Sequence, residues 1–297
     1  MTAALGLGTY RVRAVEQAAR TACADGLVWI DTAPNYKDAH QLLGPVISHH
    51  PRAMVATKTG FFSKAEGEAA VQAGLLTPQQ VTAGHTLGPA FTRWQTDRSL
   101  AALGRADLVF VHNPEHSHLD RAALHERLRA LFAVLEEFAT AGRIGGYGVA
   151  TWSGFQHGAF TVPELLGLAK EAAGSGEHHL RAVQQPVSLV MARPIALALD
   201  GRGPLVQARA AGLITFGSSP LHGGELPALT TPELAGFMRP GASPAAACLL
   251  AAASCPSLDV VLLSASTGQH WDAAKDAIAS PLDPGQLRKV TDVLAQG

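Results

Sequence analysis

The sequence predicts a single α/β domain, a parallel (β/α)8 barrel occupying residues 1–297. Three observations predict it. Eight short apolar or β-branched runs alternate with helical stretches along the whole chain, a pattern that calls for parallel pairing through right-handed crossovers. Polar residues gather at the C-terminal ends of those runs, namely Asp31, Lys58, His112, Thr151, Gln184 and Ser219; in a barrel all such ends open on one face. No GxGxxG lies between a first strand and its helix, and GLGTYR (Gly6 to Arg11) has the wrong spacing for the open dinucleotide-binding sheet.

The expected strands are Leu5–Gly8, Leu27–Asp31, Met54–Lys58, Asp107–His112, Gly146–Ala150, Ala182–Val187, Leu213–Gly217 and Val260–Ser264. Helical spacing is clearest at Leu124, Leu128, Leu131, Leu135 and Phe138, and Gly142 is placed to close that helix. Thr77-Pro78-Gln79-Gln80, Thr231-Pro232-Glu233 and Ser243-Pro244 carry helix-start signals. The stretch from Phe61 to about Gly88 is long for a connection and holds Gly67, Gly74, Gly84 and Gly88. Part of it is expected to be loop at the barrel mouth, with the helix proper reaching from near Pro89 to Leu103. No repeat, low-complexity tract or linker divides the chain.

Bulk composition excludes several functions. The 297 residues carry 23 Lys and Arg against 24 Asp and Glu, a net charge of −1. That balance leaves no footprint for nucleic acid or an anionic membrane. The apolar run Ala245 to Cys255 is shorter than the roughly 20 residues of a membrane span. TAALGLG after Met1 lacks the features of a signal peptide. Cys23, Cys248 and Cys255 form an odd, unpaired set and read as small buried apolar residues in a reducing compartment. A cytoplasmic protein is expected.

The chemistry is concentrated in IDTAPNY, VATKTG and VFVHNP, which supply Asp31, Tyr36, Lys58 and His112. A free phenol, with a pKa near 10, is a poor acid at neutral pH. A neighbouring ammonium stabilises the phenolate and lowers that value, and a carboxylate keeps the ammonium charged and directed. Such a tyrosine can give a proton to a carbonyl oxygen as hydride reaches the carbon. A histidine nearby orients the same oxygen. Taken one at a time, each residue has a plainer role: a turn cap for Asp31, a rim aromatic for Tyr36, an ion-pair partner for Lys58 and a core histidine for His112. Four motifs in order favour the chemical reading. Phe61, Phe62 and Trp152 are candidates for an apolar pocket or for packing. Glu115, His116 and His118 invite a metal site, and with it a metal-dependent hydrolase. Without a His-x-His strand signature, solvated loop residues and no metal are expected. His49-His50 and His178-His179 read as surface loops.

These motifs resemble the aldo-keto reductases. LGLGTY, IDTAPNY with LLG after it, VATK, DLVFVHNP, GRIGGYGVATW, VQQPVSLV, SSPLHGG and LLSASTGQHWD stand in that family's order, from Leu5 to about Ile278. The resemblance implies a (β/α)8 barrel binding NADPH, or less often NADH. It implies Tyr36 as general acid/base, Lys58 and Asp31 tuning it, and His112 positioning the carbonyl. Its implied cofactor residues are Gly8, Thr9, Tyr10, Asp31, Thr151, Gln184, Ser218, Ser219, Pro220, Leu221, Gly223, Ser264, Ser266, Gln269 and Asp272. Tyr10, Phe61, Asn113 and Trp152 are the implied substrate pocket.

Departures from the family pattern are specific. Lys37 and His40 stand where Gly and Glu usually follow the tyrosine, and Ala150-Thr151 replaces a Ser-Asn pair. Ser218 stands for a stacking aromatic, Asp272 for Glu and Ala273 for Asn, and no Arg or Lys occupies the usual 2′-phosphate position. The barrel is expected to be without the family's usual N-terminal hairpin and long C-terminal loop. The expected activity is NAD(P)H-dependent reduction of an aldehyde or ketone to an alcohol, or the reverse, by a monomer or weak homo-oligomer. NADPH is the expected cofactor, with NADH left open. The competing reading is a catalytically weak barrel that binds or senses nucleotide.

Overall fold

A computed structural model describes residues 2–26 and 28–294. The strands are β1 (Ala4–Gly8), β2 (Trp29–Asp31), β3 (Met54–Thr59), β4 (Leu108–His112), β5 (Tyr147–Ala150), β6 (Leu180–Pro186), β7 (Ile214–Ser218) and β8 (Val260–Leu263). They close into a barrel in sequence order. The registers run parallel, Lys58 opposite Phe110 between β3 and β4 and Leu5 opposite Val261 between β1 and β8. The (β/α)8 expectation is met. The Leu27 end of the second expected strand lies outside the described residues, and β6 starts two residues earlier than expected.

Contacts group the chain into two compact units. One runs from Ile30 to Val183, the other comprises residues up to Trp29 together with those from Gln184 onward. In the first, Phe110, Phe132, Tyr147 and Phe160 are fully buried; in the second, Leu7 and Phe216 are. The helix Arg121–Thr140 buries Leu124, Leu128, Leu131, Leu135 and Phe138, the stripe that its spacing predicts, and Gly142 beyond it takes φ +68°. All three cysteines are buried and free.

The 61–88 stretch is more ordered than expected. It holds helices Lys64–Gln72 and Pro78–Val81 and folds back so that Phe61 and His85 form an antiparallel bridge. Ser63 caps the first helix, and Thr77 with Gln80 forms the capping box read from the sequence. Gly67, which resembles a helix breaker, sits inside the first helix because a Cβ there would lie 2.9 Å from both Phe62 and Val81. Phe62, Ala70, Leu76 and Phe91 make a small core beneath, so Phe62 is a packing residue. The following helix occupies Pro89–Leu103 as predicted.

Candidate active site

Within the 30–183 unit, β3 carries alternating side chains with two destinations. Thr57 and Thr59 reach outward to helices: the Thr57 hydroxyl lies 3.0 Å from His40 Nε2, and that of Thr59 donates to Gln95 Oε1 at 3.0 Å. Lys58, between them, is buried in the barrel at 2% exposure. Its Nζ donates to Asp31 Oδ2 at 2.6 Å and to the Thr32 carbonyl at 3.0 Å. Burial pushes the Lys58 pKa down, while the Asp31 charge and hydrogen bond hold it up. The result is an ammonium stripped of water and directed by one carboxylate.

Tyr36 follows a turn closed by its own N–H, which donates to the Ala33 carbonyl at 3.0 Å, and Lys37 continues at φ +50°. The turn leaves the phenol ring half-buried, its centroid 5.1 Å from Lys58 Nζ. The His112 ring approaches edge-on at 6.3 Å. Burial, and next the Lys58, His85 and His116 charges, hold the His112 pKa well below its ordinary value. At neutral pH its imidazole is therefore uncharged, a hydrogen-bonding group rather than a competing acid. Asp31, Lys58, Tyr36 and His112 thus stand together.

Other members of this neighbourhood carry no periodic signal in the sequence. Gln95, wholly buried, accepts from Thr59 and from the Gly60 N–H and donates to the Phe61 carbonyl, clamping the end of β3. Glu115 Oε1 accepts from the Thr151 hydroxyl and from the Trp152 and Ser153 N–H groups at 2.8 to 2.9 Å. Thr151 therefore spends its single hydroxyl proton on Glu115, and its oxygen also accepts from Gly154 N–H. Asn113 takes a left-handed conformation at φ +47°, and Phe61 packs on His112 at 4.9 Å and His116 at 5.1 Å. Trp152 is 44% exposed. Among the described residues no group of three His, Cys, Asp or Glu could hold a metal. His179 is not a plain surface residue: its Nδ1 lies 2.6 Å from Glu136 Oε2.

In the other unit, Thr9 and Gln184 are buried near the ends of β1 and β6, and Tyr10 is half exposed beneath the Arg11 guanidinium. After β7 the chain turns through positive φ at Ser219, His222, Gly223 and Gly224. Within this stretch, His222 N–H donates to the Ser219 carbonyl at 3.0 Å. A Cβ on Gly223 would lie 3.3 Å from Arg11 Nη1, so a guanidinium stands beside that turn. Pro220 is buried within this turn and Leu221 accepts from Gly224 N–H. Ser266 accepts from Arg13 N–H at 3.4 Å, and Thr267 caps helix Gly268–Ile278, which carries Gln269 and Asp272. Asp272 pairs with Lys275 at 2.9 Å, and Ser264 is exposed. The Arg11 guanidinium beside this turn is the group that fits the phosphates of a dinucleotide. Arg11 and Arg13 escape sequence reading because they lie on the first connection, about 210 and 250 residues from their neighbours in space.

The model of the aldo/keto reductase family matches residues 2–158, more than half of the chain. The chain belongs to the aldo/keto reductase family. Among solved aldo-keto reductases, that of Klebsiella pneumoniae in complex with NADPH is 18% identical, with TM-score 0.66 over 98% of this chain and 90% of that one. A glycerol dehydrogenase from Gluconobacter oxydans is 18% identical, with TM-score 0.69 over 98% and 91%. The aldose reductase of Giardia lamblia is 16% identical, with TM-score 0.66 over 99% and 93%. At such identities the likeness concerns the barrel. No curated protein matches the chain by sequence.

Proposed function

We propose that this aldo/keto reductase interconverts an aldehyde or ketone with its alcohol, using NADPH, with NADH as the alternative cofactor. When bound, the nicotinamide supplies or takes back the hydride. Tyr36 gives its phenolic proton to the carbonyl oxygen, and the buried Lys58 ammonium beside its ring favours the phenolate left behind. Asp31 holds that ammonium charged and aimed. Neutral His112 donates a hydrogen bond to the same oxygen and fixes the carbonyl face. Phe61, Asn113, Trp152 and Tyr10 are the candidates for shaping substrate choice. The residues proposed to hold the nucleotide are Gly8, Thr9, Gln184, the turn Ser218–Gly223 with Arg11, and Ser264, Ser266, Gln269 and Asp272 around the Thr267-capped helix. Thr151 contributes an acceptor rather than a donor, given its bond to Glu115.

The observation that carries this reading is the buried Lys58–Asp31 pair, 2.6 Å across, set 5.1 Å from the Tyr36 ring. A family relative that is a glycerol dehydrogenase makes polyols and their carbonyl forms the first compounds to try. Tyr36→Phe is expected to bind NADPH as wild type does and to lose at least 1,000-fold in kcat. Wild-type protein that binds neither NADPH nor NADH would defeat the proposal. Binding without turnover across aldehydes, ketones and sugars would favour a nucleotide sensor instead.

A further inference from the structure

Beyond Phe61, the excursion between β3 and helix Pro89–Leu103 has no part in the function proposed above, yet it delivers one residue to the back of the site. His85 is buried, and its Nε2 lies 3.0 Å from the His112 carbonyl oxygen. A carbonyl only accepts, so Nε2 carries the proton and donates. The chain leaves β4 at this point: Asn113, in its left-handed conformation, sends its N–H to the Ala150 carbonyl at 2.6 Å. The last paired residues of β3 and β4 are Thr59 and Val111, so the His112 carbonyl faces past the end of β3. Gly60 opens the space there. Its φ is +126°, and a Cβ on it would lie 3.1 Å from His85 Nε2 and 3.5 Å from the His112 oxygen.

The surrounding contacts fix where the ring sits. The Phe61–His85 bridge is flanked by Phe62 N–H donating to Gly84 and Thr86 N–H donating to Gly60, both at 3.0 Å. The His85 ring packs on Phe61 at 4.4 Å, and Phe61 in turn meets the His112 ring edge-on at 4.9 Å. His85 therefore reaches the catalytic histidine twice, at its main chain directly and at its imidazole through Phe61. Burial also holds the His85 pKa down at about 4, so the ring has one proton to give at neutral pH and the carbonyl takes it.

We propose that His85 is a positioning residue for His112: its ring N–H holds the His112 peptide, and its face backs Phe61, so that the His112 imidazole meets the substrate carbonyl at a fixed angle. The excursion is the device that supplies this support. The inference rests on the carbonyl-reductase reading of the site. It differs from a merely structural role in what it predicts: kcat falls, while the Kd for NADPH stays within twofold.

The test uses the full-length protein with NADPH and a carbonyl compound that wild type reduces. His85→Leu is expected to lose at least tenfold in kcat. His85→Gln, whose amide N–H reaches a similar position, should recover to within threefold of wild type, and His85→Asn, too short to reach, should not. NMR signals of the His112 imidazole should shift in His85→Leu and return in His85→Gln. A His85→Leu enzyme with kcat within twofold of wild type overturns the proposal, and so does a His85→Gln enzyme as poor as His85→Leu. If the leucine variant fails to fold by circular dichroism, the Gln and Asn variants decide on the same criteria. Wild type that reduces nothing is a failure of the parent reading, and the His112 NMR comparison then still decides whether His85 holds it.

Discussion

His40 and His85 are buried imidazoles whose pKa values are both pushed down to about 4, in each case chiefly by loss of solvent. An unfolded chain would titrate them near 6.5. The unfolded state thus takes up protons that the folded state refuses, so stability is complete above about pH 6.5 and falls as pH drops towards 4. Each group contributes up to about 3 kcal/mol across that window. Urea unfolding at pH 7 and at pH 4.5 should show the loss in wild type and a clearly shallower loss in His40→Gln; equal pH dependence would contradict the assignment. At this scale the four residues proposed for the chemistry were legible because they stand in four motifs in order, although each alone has a plainer role. His85, Gln95, Glu115 and Arg11 were not. A single polar residue in a connection looks the same whether it faces water or a partner, and His85 lies 27 residues from the carbonyl it serves.

Among the elements, the N-terminal ends of two strands are locked in the same way. Asp107 precedes β4, accepts from Val55 N–H at 2.6 Å through Oδ2, and sends its own N–H to Val55 O at 2.8 Å. Asp259 precedes β8 and repeats this with Thr215, at 2.9 and 3.1 Å, adding the Thr215 hydroxyl and an ion pair to Arg209. The carboxylate satisfies a strand-start N–H that no ladder partner would reach. Removing it leaves that donor without an acceptor, at a cost of about 1–3 kcal/mol. Thermal midpoints should therefore fall by similar amounts in Asp107→Ala and Asp259→Ala, because the Thr215 hydroxyl keeps the Ser257 carbonyl as acceptor at 2.7 Å and the Arg209 guanidinium still reaches solvent. A midpoint unchanged from wild type in either variant would contradict the role given to that carboxylate. Strand positions were readable from β-branched apolar runs and the start of helix Pro78–Val81 from its capping box, whereas helix Lys64–Gln72 was masked by Gly67, which serves packing.

For the whole molecule, near-neutral composition left no charge footprint for a nucleic-acid or membrane-surface partner to be read from, and among the described residues no helix is long and apolar enough to cross a membrane. A ligand that binds only the native state stabilises all of it together: NADPH at a hundred times its Kd should add about 2.7 kcal/mol. Arg11→Ala should weaken NADPH roughly tenfold, about 1.4 kcal/mol, and reduce the shift in thermal midpoint at fixed cofactor concentration. An unchanged Kd would mean that the guanidinium beside Gly223 has no phosphate to meet.

The alternation of strand and helix, the parallel barrel and the choice of the four side chains proposed for the chemistry came from the sequence alone, because period and residue type are local properties. Which groups meet was decided only in three dimensions. The return of residue 85 onto 112, the commitment of the Thr151 proton to Glu115 and the placing of Arg11 beside the turn after β7 all depend on contacts that chain closure creates. No short window of residues encodes such contacts, since each pairs groups that are close in space but dozens or hundreds of positions apart along the chain.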